Sequence, residues 1–125
     1  MRTFPFLLAL TAALLSSTAA LAQSSAPPVK PSPALQKLES AYKSTKAAYT
    51  KNPKNAKAKK SFVAATVAFG TATMNAKELP ARIKYRGALK LYREALKIDP
   101  KNSEALKNKK QIEDVYKSMG MDVPK

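Results

Sequence analysis

An all-α domain of about four helices, folded as two antiparallel hairpins behind a signal peptide and a proline-rich linker, is what this 125-residue sequence predicts. Three observations predict it. Apolar residues recur at three- and four-residue steps over four separate stretches, the period of a helix with one buried face. No run alternates apolar and polar residues over a useful strand length. The chain also matches itself at an offset of 47 residues. Ala41, Ala48, Pro53, Lys54, Asn55, Ala58 and Lys60 fall on Ala88, Ala95, Pro100, Lys101, Asn102, Ala105 and Lys107, and Phe69 falls on Tyr116. The repeated unit is a helix, a Pro-Lys-Asn turn and a second helix, and self-similarity on this scale marks stacked helical hairpins.

Residues 1–22 read as a secretory signal peptide. Met1-Arg2 supplies a short positive start, residues 4–15 are an apolar run, Ser16-Ser17-Thr18 ends it, and Ala20-Leu21-Ala22 is an A-x-A site with the cut expected after Ala22. As a helix the run spans about 18 Å, short of the ~30 Å hydrocarbon core, so a retained anchor is not expected. No Cys follows it, which excludes a lipoprotein anchor. Cleavage would remove Arg2 and lower the formal charge from +15 to +14. The expected location is secreted or periplasmic. Residues 23–33, with Pro27, Pro28, Pro31 and Pro33, form an extended spacer. The helical domain is expected over 34–120, followed by a tail over 121–125.

The first helix is predicted near 33–51, with Ser32 as N-cap and Pro33 at the first helical position. Leu35, Leu38, Ala41, Tyr42, Thr45, Ala48 and Tyr49 share its apolar face, and Asn52-Pro53 stops it. The second is predicted near 55–76. Ala58, Phe62, Ala65, Phe69 and Ala72 form one stripe, with Val63, Val67, Gly70 and Met74 beside it. Its many small residues let neighbouring helices approach closely. Pro80 marks a break before a third helix near 81–98, whose face carries Tyr85, Ala88, Leu89, Tyr92, Ala95 and Leu96 and which Asp99-Pro100 ends. The fourth is predicted near 103–118, with Leu106, Ile112, Val115, Tyr116 and Met119 on its face. Asn102 or Ser103 caps its start, and Gly120 stands where a helix end wants positive φ. The five tyrosines, at helical spacing, are expected in the core.

The stretch from Ala88 to Asn102, ALKLYREALKIDPKN, resembles the second helix of the tetratricopeptide repeat (TPR) and the turn after it. Its signature packing positions are Ala88, Tyr92 and Ala95, with Pro100 in the Asp-Pro-x-Asn turn. Phe69-Gly70 resembles the hydrophobic-Gly pair of that family's first helix. The match is good over about 85–106 and partial over 41–58. Between Gly70 and Tyr85 the chain is about six residues longer than the ~34-residue unit. The resemblance implies TPR-like hairpins with a groove lined by first-helix side chains, here Ala64, Val67, Thr71 and Met74. These lack the Lys and Asn of the family's carboxylate-clamping members. The implied ligand is therefore a helix or extended peptide on a small apolar groove.

Composition narrows the chemistry. With no Cys and no His, disulfides, Cys/His zinc sites and triads or dyads built on those residues are excluded. Three unclustered glycines make no phosphate loop. Eight carboxylates are dispersed; Glu113 and Asp114 are adjacent and point about 100° apart on a helix. Glu39, Glu94, Glu104 and Glu113 are expected to be solvated or paired with lysines, Glu94 with Lys97. No catalytic residue, metal or cofactor is expected, and the chain reads as no enzyme. Charge is the strongest remaining signal: 23 Lys+Arg stand against 8 Asp+Glu. The candidate polyanion patch is Lys54, Lys57, Lys59, Lys60, Lys107, Lys109 and Lys110, with Arg82, Lys84 and Arg86 as a further basic group. The first expectation is a protein-interaction module exported to the bacterial envelope or medium, with a protein or peptide partner. The alternative is a polyanion-binding surface protein. A homo-oligomer, suggested by a small core, is the third.

Overall fold

The computed structural model describes residues 29–125. The predicted signal peptide and residues 23–28 of the linker lie outside the described residues. Four helices follow in order: α1 (Pro33–Lys51), α2 (Ala56–Asn75), α3 (Ala81–Ile98) and α4 (Ser103–Ser118). No strand occurs among the described residues, and none of the helices is long and apolar enough to cross a membrane. The helix ends follow the local chemistry. Ser32 Oγ accepts from Leu35 N–H at 3.3 Å with Pro33 at the first position. Gly120, at φ 66°, closes α4: its N–H reaches the Lys117 carbonyl and the Met121 N–H reaches Tyr116, both at 3.0 Å.

The sequence repeat is a repeat of hydrogen bonds. Asn52 and Asp99 donate their N–H groups to the Ala48 and Ala95 carbonyls at 3.2 and 2.9 Å. Asn55 and Asn102 then donate back to Asn52 and Asp99 at 3.1 and 3.2 Å. Their side chains accept from Ala58 and Ala105 N–H at 2.9 and 3.0 Å, capping α2 and α4. Proline, at Pro53 and Pro100, fixes φ where no donor is needed.

Neighbouring helices run antiparallel. Along α1 and α2, Ser32 meets Glu78, Tyr42 meets Phe69, and Tyr49 meets Phe62. Along α2 and α3, Gly70 meets Tyr92 and Thr73 meets Gly87. Tyr92 in turn meets Asn108 of α4. Each helix packs on the next, and α2 also touches α4.

The two stripes predicted side by side on α2 go to different neighbours. Phe62 and Phe69 stack against Tyr42 and Tyr49 of α1, with ring centroids 5.3–5.9 Å apart. Val63, Val67 and Met74 join Ala88, Leu89, Tyr92, Ala95, Ala105, Ile112 and Tyr116 in the main core. Val123 packs against this core, so the segment after α4 folds back onto the domain.

Two faces differ from the sequence reading. On α4, Leu106 and Met119 are 47% and 53% exposed; the buried stripe is Ala105, Asn108, Ile112 and Tyr116. Leu106 stands one residue, about 100° of helix, off that stripe. On α1, Ala41 and Ala48 are exposed, whereas their repeat counterparts Ala88 and Ala95 are fully buried. The reason is positional: α2 covers α3, and among the described residues no helix precedes α1.

Gly70 and Gly87 give opposite predictions. A Cβ on Gly70 would lie 3.0 Å from Tyr92 Cε1 and 3.4 Å from Leu91 Cβ, and the Tyr92 ring is fully buried and cannot retreat. Gly70→Ala is expected to lose about 1–2 kcal/mol, overpacking outweighing helix propensity. At Gly87 the nearest atom, Thr73 Cγ2, is 3.5 Å away, so Gly87→Ala is expected to gain up to about 1 kcal/mol. Urea unfolding of both variants checks the signs.

Candidate binding groove

The contact between α2 and α4 leaves an open groove of about 560 Å³ lined by Ala64, Val67, Ala68, Thr71, Ala72, Asn75, Asn102 and Glu104. Ala64, Ala68 and Ala72 recur at four-residue steps and lie on one face of α2. Their short side chains leave the room that forms the groove. Three of the four predicted groove residues, Ala64, Val67 and Thr71, stand in it. Met74 does not: it is one turn beyond Gly70, on the side of α2 that faces α3, and belongs to the core. Ala68, Ala72, Asn75, Asn102 and Glu104 were not foreseen. The four-residue alanine step was a visible signal for the first two, but it equally suits close helix contact.

A directed set of hydrogen bonds ties the groove to the core. The Asn108 amide donates to the Tyr92 hydroxyl at 3.1 Å and to Thr71 Oγ1 at 3.3 Å. Thr71 Oγ1 donates to Glu104 Oε1 at 2.8 Å. The Tyr92–Thr71 contact, 3.0 Å, then has Tyr92 as donor. One hydroxyl proton and two acceptor sites are what a threonine offers, so Thr71 is fully used. Burial raises the Tyr92 phenol, which the bonds to Thr71 and Asn108 partly offset. On the groove rim, Asn75 Nδ2 donates to the Thr71 carbonyl and Asn102 Oδ1 accepts from Ala105. Among the described residues this leaves Asn75 Oδ1 as an acceptor and the Asn102 amide as a donor on the groove rim.

Five of the seven lysines of the candidate polyanion patch are spread over three hollows. Lys57 lines a hollow with Ser44 and Ala48 between α1 and α2. Lys59 and Lys60 line another, beside Asp99 and Asn102. Lys107 and Lys110 line a third, on α4. Lys109 and Lys110 pair with Glu113 and Asp114 at 2.8 and 2.6 Å. Lys54 is exposed and lines none of these hollows. Among the described residues no group of three carboxylates, His or Cys could hold a metal ion.

Glu94 also finds a different partner. It pairs with Lys46 of α1 at 2.6 Å and accepts from the Tyr42 hydroxyl at 2.7 Å, rather than with Lys97 on its own helix. Tyr42 stands on the face of α1 that reaches both α2 and α3, and it carries Lys46, one turn on, with it. Burial pushes the Glu94 carboxyl up, but the bonds from Lys46 and Tyr42 and the charges of Lys46 and Lys90 together hold it below the usual range.

No protein-family model, curated protein or solved structure matches this chain.

The lowered Glu94 value fixes a sign. Its stabilisation is present above the unfolded carboxyl value, about 4.3, and is lost as pH falls through the folded one. Glu94→Gln should lower the melting temperature at neutral pH and flatten the decline of stability below pH ~4.3. Melting curves of both proteins across that range check this; parallel acid limbs would contradict it.

Proposed function

We propose that this chain is a non-enzymatic, TPR-like scaffold that holds an apolar peptide segment of a protein partner in the α2/α4 groove. The observation that carries the reading is the groove's composition. Ala64, Ala68, Ala72 and Val67 make an open apolar floor, and Asn75 and Asn102 offer one acceptor and one donor at its edge. Small side chains accept a partner's larger ones without first moving, and each amide can hydrogen-bond a partner's polar group that loses water on docking. The paired Pro-Lys-Asn turns support the TPR-like assignment, since each closes a helix and caps the next with the same bonds. Export to the bacterial envelope or medium belongs to this reading and rests on residues 1–22. The N-terminal residue of the protein recovered from its native source is then Gln23.

A photocrosslinker placed at Ala68 in the source organism is expected to give one discrete adduct at physiological salt. Ala72→Arg, which fills the groove, should abolish it. The same crosslinker at Ala47, an exposed position on α1, should give none. No adduct at Ala68, or an adduct indifferent to Ala72→Arg, contradicts the reading.

A further inference from the structure

A second concave surface lies where α1, α3 and the segment after α4 come together. Arg86, Lys90, Arg93 and Lys97 stand at steps of four, three and four residues on α3 and therefore share one face. With Tyr42, Lys46, Pro124 and Lys125 they line a cleft of about 660 Å³. Glu94 is the one side-chain carboxylate on that lining, and its oxygens are engaged by Lys46 and Tyr42. Arg93 is held in place by its Nη1, which donates to the Pro124 carbonyl at 2.6 Å. Arg86, Lys90 and Lys97 are exposed and enter none of the ion pairs among the described residues. The cleft thus brings Arg86, Lys90, Arg93 and Lys97 to a single lining, whereas the lysines singled out from the sequence are spread over several hollows.

The shape of this charge selects a ligand. Four cations over twelve residues cover about 16 Å of helix. A single small anion would meet one or two of them, whereas a chain of anions spaced a few ångström apart would meet all four. Two guanidiniums within the row favour phosphate oxygens, which they can bind bidentately. The one aromatic ring on the lining, Tyr42, is packed against Phe62 and Phe69 and gives no platform on which a nucleobase could stack. We propose that the α1/α3 cleft binds a linear inorganic oligophosphate chain through its phosphate oxygens, with no base or sugar read. This site shares no lining residue with the α2/α4 groove, so the two readings stand or fall separately.

Titration calorimetry with tripolyphosphate at 0.15 M salt tests it on the full mature chain. The triple variant R86E/K90E/K97E is compared with K54E/K57E/K59E, which makes the same change in net charge elsewhere. The first is expected to lose about 30-fold or more in affinity and the second less than about 3-fold. The salt slope should fall only in the first. Circular dichroism checks that both fold; should the reversal disturb the helices, R86Q/K90Q/K97Q against K54Q/K57Q/K59Q makes the same comparison. Equal losses in the two triples would mean diffuse attraction and overturn the site. So would no measurable binding, monophosphate binding as tightly as tripolyphosphate, or tighter binding of single-stranded DNA of equal charge or of anionic lipid vesicles.

Discussion

The structure turns on Tyr92. Its ring is fully buried where α2, α3 and α4 meet, and α2 accommodates it with a glycine, Gly70. Its hydroxyl cannot reach water, so two polar side chains had to be placed beside it. Asn108 and Thr71 take those places, and the cost of burying Asn108 is offset because its amide donates to both. An apolar residue at position 108 would leave the phenol short of a donor. A larger residue at position 70 would push the ring out of the space between the helices. Position, shape and polarity of three helices are therefore set by one side chain.

A second constraint is size. A domain of this length buries little apolar surface, and stacked helical units usually need three or more copies. Here α2 serves two neighbours, offering aromatic rings to α1 and branched aliphatic side chains to α3 and α4. The outer faces are made unattractive to further units. Where α3 has Leu91 and Tyr92, α1 has Ser44 and Thr45. Where α2 has Val63 and Val67, α4 has the ion-paired Lys110 and Asp114. Polar side chains at these outer positions are what terminal units of a stack require.

The helices were legible because their punctuation is local. Ser32-Pro33, the two Pro-Lys-Asn turns, Pro80 and Gly120 each act within a few residues, and periodicity did the rest. What each face meets was less legible, because that depends on the order of stacking. Ala41 and Ala88 are equivalent in sequence, yet only Ala88 has a helix to cover it. Leu106 is apolar but sits off the stripe led by Ala105, and hydrophobicity alone ranks the two the wrong way round. In the groove, Ala64, Val67 and Thr71 came with the family resemblance, while Met74 lies in the core, because one turn of α2 separates groove from core. The basic cleft was hidden for a similar reason. Its charges come from three parts of the chain, and its partner for Glu94 lies 48 positions away.

The identity of the two Pro-Lys-Asn turns has a consequence for how the array could grow. The interchangeable part is internal: a segment comprising α3, its turn, a copy of α2 and a copy of the 76–80 connection begins and ends at equivalent junctions. Inserted after Pro80, it would present a Val63–Val67 face to the original α3 and receive the original α2 on its own. The terminal helices would remain as they are, and length would become a matter of modular insertion rather than redesign.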